Sequence, residues 1–407
     1  MSMSRRSFIA SAAALPAAGA AVAATRGSSS TASRAARDAA FEPWIEVDPG
    51  AIAANVTEIR RLAGGRPVLA VVKNNAYGLG IRELARSLGP LDAIAGAAVV
   101  TPAAAVELLE AGFERPVLLM ARVDDVDGEE LAHRGVRLAT ADGGALDQFA
   151  RLATRIGRPL PVHAYLDTGM SRLGIPFRRA PDVLEALASS GSARIEGVFT
   201  GFAEDDEFDP VQLERLIRIA DAARGAGIPV GRLHAASSHG LFFRQAALLD
   251  MVRPGLAVFG AYPAGARATG AADLRVGFRL RARVARVERL ESGDSVSYGR
   301  EYVAARPTWV ATLPVGHADG YPRRAVDGCR VLVGARTYPV IGAVSASHTI
   351  LEIGDEPTVE VGDEAMLIGP DHPEIHPNEI AERAGISVYD VLMHLGARLP
   401  RRLAGDG

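Results

Sequence analysis

Eight short apolar blocks between residues 68 and 259 constrain this chain more than any other feature of it. The first, Val68–Val72, shows no alternation of apolar and polar residues, which is how a strand buried on both faces of a parallel sheet reads. Similar blocks recur at Ala93–Val100, Pro116–Ala121, Val136–Ala139, Val162–Leu166, Ile195–Thr200, Arg232–Ala236 and Met251–Phe259. Amphipathic helices fit between most of them. Leu213, Leu216, Ile217 and Ala220 fall on one stripe of the clearest. Ahead of the first block, Asp48 followed by Pro49 reads as an N-cap with a first-turn proline, and Ile52, Val56 and Ile59 continue at helical spacing. Repeated strand–helix units predict an α/β fold, a (β/α)8 TIM barrel over residues 48–270, with a doubly wound sheet as the alternative.

After about Ala271 the period changes. Phe278, Leu280, Ala282 and Val284 alternate with Arg279, Arg281 and Arg283, the pattern of a half-exposed strand. Short strands are expected at Trp309–Leu313, Arg330–Val333, Thr337–Ile341 and Ile350–Ile353, and short helices near Pro377–Ala384 and Val388–Leu395. Residues 271–407 therefore read as a mostly antiparallel β domain. A length of 407 residues suits two domains, and an apolar share of 48% is enough for a sizeable core. The formal charge of −3 includes no extended basic surface for nucleic acid. The single cysteine, Cys329, excludes an internal disulfide and a cysteine-cluster metal site, which leaves a free thiol.

The first residues differ from the rest. Arg5 and Arg6 precede an alanine-rich apolar run that ends in Ala21-Val22-Ala23, and the segment 1–23 resembles a twin-arginine export signal. An ordinary signal or an anchor is the alternative, but the run is short and only mildly apolar. Residues 24–40, rich in Ser, Ala, Arg and Thr, read as a disordered tether. A periplasmic or exported protein without stable membrane insertion is expected.

Several polar residues stand where strands should end. Lys73 closes the first block in "LAVVKNNAYGLG". A lysine at the mouth of an apolar barrel is partly desolvated, so its pKa falls and it can form a Schiff base with an aldehyde cofactor. Position alone leaves open a surface lysine snorkelling from a strand end. Asn74, Asn75 and Gly78 suit a tight turn, from which Tyr77 could reach a phosphate. Arg253, Pro254 and Gly255 follow the eighth block, and "HAASSHG" follows the seventh with His234, Ser237 and Ser238. Phosphate sites in barrels are often built after strands seven and eight. Arg172 in "DTGMSRLGIP", Tyr298 in "SVSYGREY" and Asp319 in "VGHADGYPRR" are chemically capable, and each also reads as part of a turn. No metal-ligand spacing, Walker loop or dinucleotide fingerprint is present in the sequence.

Taken together, these motifs resemble the alanine racemase family over residues 43–402. "AVVKNNAYGLG" resembles its pyridoxal-phosphate (PLP) lysine motif, which implies Lys73 as the cofactor's anchor and Tyr77 as a phosphate ligand. "SVSYGREY" implies Tyr298 as a second catalytic base, and "MSRLG" implies Arg172 near that tyrosine. "VRPG" implies Arg253 opposite the pyridine nitrogen, with Gly255 and Leu256 near the phosphate. "HAASS" implies His234 beside Arg253, and Ser237 and Ser238 at the phosphate. The family implies a head-to-tail homodimer in which Tyr298 enters the partner's site, and a first strand at 43–47 that joins the β domain. Lys73 and Tyr298 would then move the α-proton of a small amino acid, alanine by default, on opposite faces.

The sequence departs from the family's pattern at several places. The family's ring-stacking histidine falls at Gly201, its often carboxylated lysine at Tyr165 and its entrance tyrosine at His317. A Met-Asp pair falls at Ala346-Ser347, where Ala346 would line the substrate pocket, and a gate tyrosine falls at Ala397. This smaller lining leaves open a broad racemase acting on Ser, Met, Leu, Lys or Arg. A PLP decarboxylase or lyase would lack the Tyr298 motif, and a non-catalytic PLP carrier would lack the β domain.

Overall fold

Trp44–Val47 (β1) is the first strand of the described residues, and Asp48 then starts a helix over Pro49–Leu62 by accepting a hydrogen bond from Ala51 N–H. The computed structural model describes residues 41–140 and 144–405; the expected export signal at 1–23 and tether at 24–40 lie outside them. The apolar blocks form one parallel sheet. Its strands are β2 (Val68–Val71), β3 (Ile94–Val99), β4 (Val117–Leu119), β5 (Arg137–Ala139), β6 (Leu160–Asp167) with the two-residue β7 (Ile175–Pro176) beside it, β8 (Ala193–Phe199) and β9 (Arg232–His234). Every residue of β2 and β4 is buried, as strands covered by helices on one side and a barrel interior on the other must be.

The eighth block is a correction. Met251–Phe259 reads as a strand, yet only Val252 bridges to Val68, and Leu256–Phe259 forms a 3-10 turn. Pro254 has no N–H to give to a ladder, and Gly255 and Ala257 donate theirs to Ser238 Oγ instead. The barrel still closes. Leu69 N–H donates to Val252 O at 2.9 Å, Val71 N–H to Pro254 O at 2.9 Å, and Arg253 N–H to Ala236 O at 2.8 Å.

The second sheet comprises β10 (Phe278–Arg283), β11 (Arg286–Leu290), β14 (Thr308–Leu313), β15 (Arg330–Val333), β16 (Arg336–Ile341), β17 (Thr349–Gly354), β18 (Glu364–Ile368) and β19 (Arg401–Leu403), with the short pair β12 (Ser295–Val296) and β13 (Tyr302–Val303) apart from it. β1 belongs to this sheet too, antiparallel to β10 and parallel to β19. Along β10 the apolar residues are buried, while Arg279 and Arg281 meet Glu46 from β1, with Asp371 and Glu364 beyond. Two short helices, Pro377–Ala384 and Val388–Met393, carry the chain back to the barrel. There Leu392 O and Leu395 lie so close to Gly78 that a Cβ on that glycine would sit 2.6 Å from the carbonyl. The β domain thus braces the turn that follows β2.

Candidate active site

That turn is left-handed. Asn74, Asn75, Ala76 and Tyr77 take φ of 53°, 52°, 54° and 56°, followed by Gly78 at 86°. Left-handed backbone costs an L-residue about 1–2 kcal/mol, less for asparagine. The turn is tied at both ends. Ala76 N–H donates to Val72 O at 3.1 Å, Gly80 N–H to Asn75 O at 3.0 Å, and Arg401 Nη2 to Gly78 O at 2.7 Å. Asn74 Nδ2 reaches Met393 Sδ at 3.2 Å. Lys73 starts the turn rather than ending the strand, and Tyr77 closes it, so both side chains are set at the C-terminal mouth of the barrel. Burial lowers the Lys73 pKa, the Arg172 charge lowers it further, and Glu204 opposes them.

Tyr77 is buried against Phe259, ring centroids 4.8 Å apart, with Tyr389 at 6.3 Å. Its hydroxyl lies against Gly255, where a Cβ would sit 2.1 Å from Tyr77 Oη. Ser238 Oγ accepts from the N–H groups of Gly255 and Ala257, each at 3.1 Å, which leaves its own O–H to donate. Leu256 is buried between them. Ser237 caps the short helix Ser238–Phe243 by accepting from Gly240 N–H at 3.3 Å. The hydroxyls of Tyr77 and Ser238 therefore converge beside Gly255, whose lack of a side chain lets the tyrosine approach, and the pair suits an anion such as a phosphate.

Arg253 is buried and meets neutral acceptors: its Nη1 donates to His234 Nδ1 at 2.8 Å and His234 O at 2.7 Å, and its Nη2 to Thr200 O at 2.6 Å. The guanidinium lies 4.9 Å above the Phe199 ring, and that ring stacks between Tyr165 and His234. Burial lowers the Arg253 pKa to about 10, so it remains a cation at neutral pH. His234 is fully buried, and burial together with the Arg253 charge keeps it neutral. A fixed cation with no carboxylate partner among the described residues suits the ring nitrogen of a pyridine.

The other expected site residues divide into two groups. Arg172 stands near Gly201, where a Cβ would find Tyr165 Oη at 3.5 Å, Met170 Sδ at 3.6 Å and Arg172 Nη2 at 3.8 Å. Tyr298, His317 and Ala346 belong to the β domain. Ser297, with φ of 61°, donates its hydroxyl to Ala343 O at 2.9 Å, and His317 N–H donates to Ser345 O at 2.9 Å, which gathers these three residues on one patch. Tyr298 is 76% exposed, and among the described residues no hydrogen bond, ion pair or ring contact ties it to the barrel mouth. Sequence reasoning missed Phe199, Thr200, Glu204 and Tyr389, which lie in otherwise ordinary apolar or charged surroundings. It also passed over a plainer signal: Lys73 is the only lysine of the chain.

The comparisons with known proteins give the family and the fold. The family pattern described as "Alanine racemase, N-terminal domain" matches residues 47–263, and "Alanine racemase, C-terminal domain" matches residues 277–403. An alanine racemase of Symbiobacterium thermophilum is 36% identical over 372 residues, covering 89% of this chain and 97% of its own. One from Citrifermentans bemidjiense is 34% identical over 374 residues, covering 88% and 97%. Among solved structures, the alanine racemase of D-cycloserine-producing Streptomyces lavendulae superposes with a TM-score of 0.83 at 29% identity, over 90% of this chain and 98% of that one. An alanine racemase from Bacillus anthracis with bound L-Ala-P gives a TM-score of 0.80 at 28% identity, over 90% and 96%.

Proposed function

We propose, for a chain that belongs to the alanine racemase family, that Lys73 and Tyr298 are the two bases that invert the Cα of a small amino acid. The family is PLP-dependent and the protein is an amino-acid racemase, with alanine as the substrate its relatives share. The observation that carries the residue assignment is the convergence of Lys73, Tyr77, Gly255 and Arg253 at one barrel mouth. Tyr77, Ser238, Gly255 and Leu256 would hold the phosphate, Ser237 would support them by capping the following helix, and Arg253 would face the ring nitrogen. Bound there, PLP supplies an electron sink that acidifies the substrate's Cα proton.

The chain's own residues do the rest. Lys73, its amine pKa lowered by burial and by the Arg172 charge, handles the proton on one face of Cα. The Tyr298 phenol handles it on the other, so that one base gains a proton as the other loses one and the configuration inverts. Tyr298 is exposed and lies on the β domain, so we assign it to the site of a second copy, in a homodimer with shared sites. Arg172 would steady that tyrosine. We also assign residues 1–23 to export into the periplasm, where D-amino acids enter cell-wall chemistry.

Borohydride reduction of the holoenzyme, followed by peptide mapping, tests the anchor. Reduced cofactor should appear on Lys73, and a Lys73→Ala variant that still fixes it would overturn the assignment. In D2O the enzyme should place deuterium at Cα of L-alanine without releasing CO2. A broader substrate range is favoured by the absence of a side chain at Gly201, where a Cβ would fit in ordinary contact with Tyr165, Met170 and Arg172. kcat/KM for Ser, Met, Leu, Lys and Arg against Ala decides that reading, and a preference for alanine above about a thousandfold, roughly 4 kcal/mol, would rule it out.

A further inference from the structure

Beneath the mouth, inside the barrel, stands a histidine with no part in the site described above. His163, from β6, is buried, and its Nδ1 lies 2.9 Å from His234 Nε2. The protons along this line follow from one fact: an arginine can only donate. Arg253 Nη1 therefore donates to His234 Nδ1. The single proton of the neutral His234 ring must then sit on Nε2, where it needs an acceptor. His163 Nδ1 is that acceptor, so the His163 proton sits on its own Nε2. His163 also lines a cavity of about 380 Å³ at the opposite, N-terminal end of the barrel, with Arg137, Glu196 and Arg232, which has room for water to accept from it.

The backbone around His163 is shaped to place that ring. The β6–β8 register skips a residue here, with Val162 opposite Ile195 and His163 opposite Gly197. A Cβ at Gly197 would sit 2.5 Å from His163 Nδ1 and 2.7 Å from its Cε1. Gly197 is not in the left-handed region, so its own backbone does not call for glycine. The close approach of the histidine ring does.

We propose that His163 is a positioning residue for Arg253: it accepts from His234 and so holds that ring in the one tautomer to which the arginine can donate. The inference rests on the reading that Arg253 faces the cofactor's ring nitrogen, and it adds the chain of groups that keeps the guanidinium aimed there. Without His163, the His234 Nε2–H loses its acceptor. The alternative tautomer sets Nδ1–H against the Arg253 N–H, donor to donor.

The test uses the holoenzyme. In the wild type, ¹⁵N shifts of labelled histidine should show His234 protonated on Nε2 and bare on Nδ1. His163→Leu should lower kcat by about 10–100-fold, as loss of outer-shell partners of oriented histidines does, with KM changed less than about threefold and the visible band of bound PLP shifted. His163→Asn, which offers a carbonyl oxygen near the place of Nδ1, should restore kcat to within about threefold and return the band. Gly197→Ala, which drives the ring from its place, should behave like His163→Leu. The proposal is overturned by a His234 protonated on Nδ1, by an unchanged kcat and spectrum in His163→Leu, or by an asparagine variant as impaired as the leucine one. Arg253→Leu separates the two levels. If it leaves kcat and spectrum unchanged, the reading of Arg253 fails. If it impairs both while His163→Leu does not, only the role of His163 fails.

Discussion

Gly255→Ala is the sharpest test of the phosphate cradle. Gly255 takes φ −116°, which alanine accepts, so any effect comes from the added methyl group and not from the backbone. That methyl carbon would stand 2.1 Å from Tyr77 Oη, 2.7 Å from Cζ and 3.0 Å from Cε2. Ordinary carbon–oxygen contact lies near 3.5 Å, so the tyrosine must withdraw by more than about 1 Å. It has little room to do so, because its ring is buried against Phe259 and Tyr389 and its backbone is fixed in the left-handed turn. Overpacking of this kind costs about 1–3 kcal/mol, which corresponds to PLP binding weaker by roughly 5- to 160-fold. Absorbance titration of the apoenzyme with PLP reads the Kd directly. Tyr77→Phe removes the atom in closest conflict, so the double variant should lose less than the sum of the two single losses. A Kd for Gly255→Ala within about twofold of the wild type would refute the placement of the cofactor's phosphate at the Tyr77 hydroxyl where it rests on Gly255.

Tyr298→Phe should lower racemisation by about 10²–10⁴-fold, unequally in the two directions, while PLP stays bound; near-normal rates in both directions would contradict the two-base reading. If the sites are shared, mixing inactive Lys73→Ala and Tyr298→Phe proteins and allowing subunits to exchange should regenerate activity, because one mixed site then carries both bases; no recovery despite exchange would place both bases in one chain. Burial lowers the pKa of His163 and of His376 to about 4, against 6.5 for an unperturbed histidine. The unfolded chain therefore binds more protons between pH 6.5 and 4, so their contribution is full above pH 6.5 and is lost as pH falls, at up to about 1.4 kcal/mol per pH unit for each. His376→Asn keeps an acceptor for Asn378 N–H and removes one such proton. Its Tm should fall less steeply across that window, and an unchanged slope would refute the account. Replacing Arg5 and Arg6 by lysine should abolish periplasmic activity, and undiminished export would remove the twin-arginine assignment.

What could be read from the sequence was what one periodicity or one motif carries. The unalternating blocks gave β2 to β6, β8 and β9 to within a few residues, because a strand buried on both faces has no polar position to blur its edges, while the two-residue β7 left no such block. Strands with exposed faces were harder. Arg286–Leu290 and Arg401–Leu403 are rich in arginine and become strands only because Thr308–Leu313 and Trp44–Val47 offer them paired backbones. Met251–Phe259 misled because its apolar run satisfies the strand pattern while Pro254 cannot join a ladder. Within the site, Lys73, Tyr77, Arg253 and Gly255 announce themselves by residue type just after apolar stretches that cross the barrel. Phe199 and Thr200 do not, since a stacked ring and a backbone carbonyl have no signature before the fold places Arg253 against them.

The lysine turn also bears on how the two sheets depend on each other. Four consecutive left-handed residues are unfavourable in isolation, and β2 alone supplies only one end of their support. The rest comes from the end of the chain: Arg401 donates to Gly78 O and to the carbonyls of Gly396, Ala397 and Leu399, while Leu392 and Leu395 close over Gly78. Gly78 is a glycine on two counts, a φ of 86° and a carbonyl that leaves no room for a Cβ. The strained turn that aims the only lysine of the chain is therefore held by residues more than 300 positions later. The turn at the barrel mouth has its full set of tethers only with the β domain in place. A cofactor aldehyde meeting this chain before that point finds a single side-chain amine, in a turn tied only by its own backbone hydrogen bonds and by the end of β2.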